Sequence, residues 1–348
     1  MKLNRILHKN RTFMIEFVIV MAILIIVPMF MSRPFQVNVL ILSAIWAIMG
    51  LGWNFIGGYT GQVSNGHAMF YAIGAYVGAL TLKWYHISPW LSMWLGVIIS
   101  MAVAFVIGRP LFRLRGHYFA IATMALVEAT RVIFLNWNWI GASTGVSFFD
   151  KTRPEWFTMQ FVAKKPSYYI ALGFMALFIT VTRIMEQSKF GYYCRAIKAN
   201  QDSAESSGVD AARYKLIAYM ISAGIVSVGG ALYAQYIQYI DPAVLLPLSN
   251  SMLIVLVCVM GGIGTVWGPV LGAFLMTSIN EYSRSYFAKF SGLNLVIYGV
   301  LVILIVLFLP NGLISLVKKE RFDGIRNRLK KQTANESASS GHSKHKGV

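Results

Sequence analysis

The chain has 348 residues, of which 57% are hydrophobic and only 13% are charged, with a mean hydropathy of +0.60. Water-soluble domains carry about 25% charged residues, so this composition excludes an ordinary soluble protein and predicts a membrane protein. The formal net charge of +18 comes from basic residues scattered over short connections and a C-terminal tail. Such scatter argues against nucleic-acid binding and fits a chain that contacts a lipid bilayer.

Ten segments are apolar enough to cross a bilayer as helices, which takes about 20 mostly apolar residues each. The first is too long for a signal peptide, and no small-residue cleavage site follows it. The predicted fold class is an all-α polytopic membrane protein, a single bundle of about ten transmembrane helices with broken or glycine-rich helix elements. The ten segments are 13–32, 35–56, 67–83, 90–109, 118–135, 167–185, 214–236, 249–263, 267–287 and 292–310.

The distribution of lysine and arginine predicts the orientation, because these residues collect on cytoplasmic loops. With ten spans, 22 of the 31 basic residues fall on one side of the membrane and seven on the other. Both termini are therefore predicted to be cytoplasmic. The organisation that follows is a cytoplasmic N-terminal segment (1–12), a transmembrane permease domain (13–312) with an outer connection (136–166) and a cytoplasmic connection (186–215), and a basic amphipathic to disordered cytoplasmic tail (313–348).

Several motifs that would indicate catalysis are missing from the sequence. There is no GxxxxGK[ST] phosphate loop, GxGxxG, GxSxG or HExxH, so neither ATP binding by the usual loop nor a familiar hydrolytic site is predicted. Cys194 and Cys258 are far apart, and the six histidines have no metal-ligand spacing. With no catalytic, cofactor-binding or metal-binding residue predicted, the mostly neutral spans favour a conduit for a solute over an enzyme.

The connection between the second and third spans is unusual because no charged residue occurs from Phe35 to Leu82, a run of 48 residues. As helix this run would extend about 72 Å, and two crossings of the hydrocarbon core use about 60 Å. The remainder is too short for a solvated loop, so we expect a buried break in the helix within residues 57–66. Such backbone is covered by protein or lines a watery cavity. One interpretation is therefore packing, and the other is a wall of the translocation path formed by Gly61, Gln62, Ser64, Asn65 and Gly66.

A second uncharged glycine-rich segment runs from Gly261 to Gly272. Glycine recurs there every four residues at Gly264, Gly268 and Gly272. Small residues at this spacing let helix backbones approach closely in membranes, so close helix packing is the favoured interpretation of this segment.

Two carboxylates within the spans have a basic residue three positions further along, at Glu128 with Arg131 and at Glu281 with Arg284. Residues three apart share one face of a helix, so each pair is predicted to form an intramembrane ion pair. Charges at this depth are costly and usually face the protein interior. Each pair is interpreted either as a packing element or as part of a gate.

The cytoplasmic connection at 186–215 is polar and predicts a short helix outside the membrane. Small residues recur on it at Ala196, Ala199, Ser203, Ala204 and Ser207, and Gly208 follows as a helix stop. A helix with such a face is suited to close approach by another protein, although a solvated loop helix would have the same pattern.

This connection resembles the coupling-helix region of bacterial ABC importer permeases of the branched-chain amino-acid type. The matching residues are Arg195-Ala196-Ile197, Ala204-Glu205, Gly208 and Arg213-Tyr214-Lys215-Leu216, although the family often has an acidic residue where this chain has Gln201. Further segments resemble the same family in the right order, although the family commonly has Leu at Asn65. They are GGYTGQVSNGHAMFYAIGAY (57–76), LRGHYFAIATMALVEATR (114–131), GGALYAQYIQYIDP (229–242), GGIGTVWGPVLGA (261–273) and LPNGL (309–313).

The resemblance implies a multi-pass permease of the bacterial inner membrane that binds no cofactor itself. It implies a second homologous permease subunit, so that a heterodimer is expected, two cytoplasmic ATPase subunits that bind ATP and Mg, and an extracytoplasmic solute-binding protein. The residues expected to couple this chain to the ATPase are Arg195, Ala196, Ala204, Glu205 and Gly208. The outer connection at 136–166 either anchors at the membrane interface through its tryptophans or docks the binding protein.

The implied substrates are the branched-chain amino acids leucine, isoleucine and valine. Other amino acids, amides or urea are alternatives, because selectivity would reside mostly in the binding protein. A secondary transporter is a further alternative, disfavoured by the coupling-type helix and by the lack of intramembrane coupling carboxylates beyond the two self-paired ones, since Glu16 lies near the start of the first span and is interpreted as a snorkelling or capping residue.

Overall fold

The computed structural model describes residues 2–31, 33–114, 116–150, 152–287, 293–309 and 312–315. Fourteen α-helices occur in these ranges, joined by a π-helical turn at Asn54–Tyr59, two 3-10 turns at Asn138–Ile140 and Ala142–Thr144, and two short strands. The helices are α1 (Lys2–Phe30), α2 (Pro34–Trp53), α3 (His67–Tyr85), α4 (Pro89–Leu111), α5 (His117–Asn136), α6 (Glu155–Thr158), α7 (Lys164–Gln187), α8 (Lys189–Ala199), α9 (Gln201–Ser206), α10 (Ala211–Ile237), α11 (Pro242–Leu245), α12 (Leu248–Gly261), α13 (Gly268–Tyr286) and α14 (Leu293–Phe308).

The all-α polytopic architecture is confirmed, and each of the ten predicted segments falls on a helix. Among the described residues, seven helical segments are long and apolar enough by themselves to cross a membrane. The helices α3, α13 and α14, with 19, 19 and 16 residues, are not among these seven. The count of ten spans therefore stays a prediction.

Helix α10 lies at the centre of the bundle and packs against α2, α3 and α4, while α2 also packs against α7, α12 and α13. Helices α3 and α10 approach backbone to backbone: a Cβ atom placed on Gly74 would lie 1.9 Å from the carbonyl oxygen of Ser227. Only glycine allows that separation. The α3–α10 contact is therefore close small-residue packing, and large side chains such as Trp53, Tyr71 and Tyr219 fill the rest of the core.

The glycine repeat at 264–272 has two roles. A Cβ on Gly272 would lie 1.9 Å from the carbonyl oxygen of Val257, and one on Gly268 would lie 2.1 Å from that of Gly262. The packing predicted for these two glycines is therefore confirmed. Gly264 differs, because it lies in the turn between α12 and α13 with a φ of 75°, a conformation that favours glycine.

One end of the bundle carries a folded segment at 136–166 that the all-helical prediction missed in part. Strands β1 (Val146–Ser147) and β2 (Tyr239–Ile240) pair antiparallel there. Hydrogen bonds join the rest of the segment to the α3–α4 connection, from the Arg153 guanidinium to the His86 carbonyl (2.9 Å), and to the first turn of α4, from the Trp90 indole to the Trp156 carbonyl (2.8 Å). The tail beyond residue 315 lies outside the described residues, as do Pro310 and Asn311 of the LPNGL motif.

Candidate translocation path and coupling site

The predicted helix break is present between α2 and α3. Helix α2 runs into the π-helical turn at Asn54–Tyr59, and residues 60–66 are not helical, with Gly61 at a φ of 75°. The indole of Trp53 donates a 2.7 Å hydrogen bond to the Ser64 carbonyl, and the Asn65 amide donates to the Thr123 hydroxyl at 3.0 Å. These side chains replace the backbone partners that the interrupted helix loses.

Exposure divides the five residues predicted to line the path. Gly61 is exposed and Gln62 half-buried, whereas Ser64, Asn65 and Gly66 are buried within this chain. The exposed part lies at the end of the bundle that carries α8, because a Cβ on Gly61 would lie 3.0 Å from the Lys198 side chain. The lining of a path by these residues stays a prediction, and the structure assigns packing contacts to Ser64 and Asn65.

Asn54 joins this break to the second glycine-rich turn. Its fully buried side-chain amide donates to the Thr265 carbonyl at 2.9 Å, and its amide oxygen accepts from the Gly264 backbone at 2.8 Å. The two turns are thereby fastened to each other across more than 200 residues of sequence. Sequence reasoning missed Asn54, although an amide three residues before a glycine pair in an uncharged run was the available signal.

Lys198 of α8, in the connection at 186–215, joins the same break. Its ammonium group donates a 2.7 Å hydrogen bond to the Gly58 carbonyl in the π-helical turn. Desolvation beside that backbone lowers the pKa of the Lys198 ammonium from its usual value. Sequence reasoning also missed this contact, because a lysine on a polar helix ordinarily faces solvent.

The predicted coupling helix is two helices, which corrects the expectation of one. Helix α8 ends at Ala199, Asn200 adopts an extended conformation, and the Asn200 side chain then caps α9 by accepting from the Ser203 amide at 2.9 Å. The predicted stop at Gly208 agrees with the structure, since α9 ends at Ser206 and Gly208 has a φ of 84°. The break arises because an asparagine competes with the helix for backbone hydrogen bonds.

The five predicted coupling residues occupy different environments. Ala196, Glu205 and Gly208 are exposed, whereas Ala204 is buried in a small cluster with Ile197 and Ala211. Ala204 therefore packs α9 against α10, and the exposed small residues around it form the outward surface of this segment, namely Ala196, Ala199, Ser203, Ser206, Ser207 and Gly208.

Arg195 fastens α8 to the end of α7. Its guanidinium donates to the Glu186 carbonyl at 2.8 Å, lies 3.7 Å from the Glu186 carboxylate and covers the Tyr192 ring at 4.8 Å. The same carboxylate pairs with Arg183 at 2.8 Å. Arg195 thus holds the coupling segment in position from within this chain, and its role toward an ATPase stays a prediction.

Gln201 stands where the resembled permeases often have an acidic residue, and its neutral side chain has specific hydrogen-bond partners in the structure. The Lys215 ammonium, on a side chain that is almost fully buried, donates to the Gln201 side-chain oxygen at 2.6 Å, and the Gln201 amide donates to Glu205 at 2.8 Å. Gln201 therefore links α9 to α10 through its neutral side chain, and Glu205 is held on the exposed side of that link.

Both predicted ion pairs form. Arg131 contacts Glu128 through three N–O distances of 2.5–3.1 Å, and Arg284 contacts Glu281 at 2.9 Å. Their surroundings differ, because Glu281 is 7% exposed while the side chains of Glu128 and Arg131 are 54% and 33% exposed. By its low exposure, Glu281 is buried within the fold and serves packing, whereas the Glu128–Arg131 pair on α5 lies on the surface of this chain.

No group of three or more potential metal ligands occurs in the part of the chain that the structure describes. Cys194 and Cys258 are free and buried, as expected for isolated thiols. Burial raises the pKa of the Cys194 thiol, on α8, to about 12.

Comparison with known proteins identifies the family. A protein-family model described as "Branched-chain amino acid transport system / permease component" matches residues 35–306, most of the chain. The chain belongs to this family. It is accordingly a membrane permease component and a multi-pass plasma-membrane protein.

Individual relatives agree with the family match. The high-affinity branched-chain amino acid transport system permease protein LivM of Salmonella typhimurium is 29% identical over 86% of this chain and 75% of its own length, and LivM of Escherichia coli is 27% identical over 87% and 76%. LivH of Salmonella typhimurium, another permease protein of such a system, is 23% identical over 82% of this chain and 96% of its own length. No solved structure matches significantly.

Proposed function

We propose that this chain is the LivM-type permease subunit of an ATP-driven importer that moves branched-chain amino acids across the plasma membrane. The family match over residues 35–306 carries this proposal, together with relatives named for branched-chain amino acid transport. In the proposed complex a second permease subunit, related to LivH, pairs with this chain. Two cytoplasmic ATPase subunits bind ATP and Mg, and an extracytoplasmic protein delivers the solute.

In the proposed mechanism α8 and α9 transmit the movement of an ATPase subunit to the bundle. An ATPase groove grips the exposed small-residue surface that includes Ala199 and Ser203. Its motion reaches the helix break through the hydrogen bond from Lys198 to Gly58, and passes from there through Asn54 to the α12–α13 turn. Rigid-body displacement of packed helices then alternates the access of the path between the two sides.

The orientation in this mechanism has both termini and the α8–α9 segment in the cytoplasm, with ten spans. It is supported by the excess of basic residues on that side and by the location of the α2–α3 break, α8 and the α12–α13 turn at one end of the bundle. The segment at 136–166 then faces outward as a docking surface for the binding protein.

The proposal is tested by purifying the tagged chain from its native membrane and identifying what comes with it. The expected result is a second permease protein and ATPase subunits, with ATP-dependent leucine uptake into proteoliposomes when the binding protein is added. Uptake driven by a proton or sodium gradient with no demand for ATP would instead assign a secondary transporter. ATP-driven uptake of an amide or urea but not of leucine would reject the substrate.

A further inference from the structure

Helix α5 differs from helices α1 and α14 in what its outward surface carries. Only Phe119, Thr123 and Val127 of its residues are buried, and they lie on one face. The opposite surface is exposed over the whole length of the helix and is made of Tyr118, Ile121, Ala125, Glu128, Ala129, Val132 and Ile133.

The ion pair on this surface lies near the middle of the helix. Glu128 follows the first residue of α5 by 11 positions, roughly 16 Å along a helix that rises 1.5 Å per residue, so it falls close to the centre of a hydrocarbon core about 30 Å thick. Its side chain is 54% exposed and the Arg131 side chain is 33% exposed. Charged groups at this depth are costly in contact with lipid and ordinarily face protein or water.

Other outward surfaces of the bundle show what this protein presents to lipid. Every exposed residue of α1 from Met14 to Phe30 is apolar, and the one charged residue in that stretch, Glu16, is half-buried. The large exposed residues described on α14 are apolar as well, from Val296 to Phe308. The exposed charges of α5 are therefore an exception among these helices, and Ala125 and Ala129 beside them leave room for a second helix or for solute.

We propose that the exposed surface of α5 faces the second permease subunit across a water-filled translocation path. This inference rests on the proposed function for the presence of that subunit. A watery path keeps Glu128 and Arg131 hydrated without separating them. It also lets the pair offer a carboxylate and a guanidinium to a zwitterionic α-amino acid, whose ammonium and carboxylate groups carry the opposite charges.

The experiment compares single cysteines on two helix surfaces in the complete complex, in membranes. Ala125→Cys and Ala129→Cys probe α5, and Val18→Cys and Ile23→Cys on α1 serve as controls, since these α1 side chains are 62% and 55% exposed on the apolar surface. The native cysteines are both buried and supply the background rate. A charged, membrane-impermeant methanethiosulfonate reports water, and a lipid-soluble maleimide reports lipid.

The α5 cysteines are expected to react with the charged reagent roughly tenfold faster than the α1 cysteines, because reaction needs the thiolate that forms in water and not in lipid. Equal slow rates at both helices, with maleimide labelling of both, would place α5 against lipid and overturn the proposal. Protection of α5 from both reagents would place it in a dry subunit contact and overturn it too. Accessibility needs neither ATP nor leucine, so it can succeed or fail independently of the proposed transport activity.

Two further measurements test the partner and the pair. A photo-crosslinker at Ile133 is expected to capture the co-purified second permease subunit, identified by mass spectrometry, and capture of lipid alone would contradict this. The double variant Glu128→Gln/Arg131→Gln is expected to raise the KM for uptake several-fold in an assembled complex. Unchanged uptake with greater stability of the protein in membranes would indicate a lipid-facing pair.

Discussion

The Lys198 ammonium group and the Gly58 carbonyl oxygen are 2.7 Å apart, and this hydrogen bond joins the short helix α8 to the π-helical turn at the break between α2 and α3. A carbonyl in a π-helical turn has a free direction for an external donor, because the regular i to i+4 pattern is disturbed there. The contact is therefore a direct mechanical connection between the candidate coupling segment and the helix break.

Replacing Lys198 with methionine should weaken that connection while keeping the apolar stem of the side chain. We expect the complex to assemble and hydrolyse ATP, but leucine uptake per ATP to fall several-fold. The measurement is uptake and hydrolysis in the same proteoliposomes. Lys189→Met, in the first turn of the same helix, is the matched control and should leave the ratio unchanged. An equal ratio of leucine uptake to ATP hydrolysis in both variants would show that the Lys198–Gly58 hydrogen bond has no part in coupling.

Asn54→Ala tests the connection between the two glycine-rich turns. The change removes both hydrogen bonds of a buried amide and leaves the Thr265 carbonyl and the Gly264 amide without their side-chain partner. Loss of such buried partners costs about 1–3 kcal/mol each. A clearly lower unfolding temperature of the purified protein is expected. Asn138→Ala, in an exposed turn, should leave that temperature unchanged, and a similar small effect of both would argue against the contact.

Asn54 and Lys198 also mark what the sequence could and could not predict. The ten helical segments, the uncharged break near Gly61 and both i,i+3 ion pairs depend on local composition and spacing, which are visible in one sequence. The hydrogen bonds from Asn54 to residues 264 and 265 and from Lys198 to Gly58 depend on how distant elements pack. No local pattern encodes such pairs, so they were not predicted.

The burial of Ala204 has the same explanation. Its small side chain fits both a surface approached by a partner and a packed contact, and only the interruption at Asn200 determines which way α9 is turned. The same applies to Ser64, which is covered by the fold of its own chain. Exposure of the α5 ion pair likewise depends on which helices surround α5, and a pairwise spacing rule contains no information on that.

The buried and exposed surfaces of the α8–α9 segment predict different effects for bulky substitutions. Ala204→Leu adds methylene groups to a packed cluster, which costs about 1–3 kcal/mol, so a less stable protein with reduced yield is expected. Ala199→Trp on the exposed surface should leave stability unchanged and reduce coupling of ATP hydrolysis to uptake. Protein yield, the unfolding temperature and the ratio of uptake to ATP hydrolysis distinguish the loss of stability in Ala204→Leu from the loss of coupling in Ala199→Trp. Normal coupling in a folded Ala199→Trp complex would show that the ATPase docks elsewhere.

Close packing of α3 on α10 predicts a large difference between two glycines. Gly74→Ala places a methyl group 1.9 Å from the Ser227 carbonyl oxygen, so the helices must separate and the protein should lose stability. In Gly173→Ala on α7 the new methyl group meets no atom within 4 Å, and alanine favours helix over glycine by about 1 kcal/mol. Unfolding temperatures should fall for the first and stay level or rise for the second. Similar values would contradict the assigned α3–α10 contact.

Cys194 provides a prediction for pH dependence. Burial raises the pKa of its thiol from 9.0 to about 12 in the folded protein, so the thiol stays protonated at pH 8 and should react with maleimide far more slowly than in the denatured chain, since the thiolate is the nucleophile. Because the unfolded state loses this proton near pH 9 and the folded state does not, the free energy of unfolding should decrease as pH rises from about 9 toward 12. Cys194→Ala should reduce this decrease. The labelling is measured in the folded Cys258→Ala variant, in which Cys194 is the remaining cysteine. Fast labelling of Cys194 at pH 8 in that variant would contradict its burial.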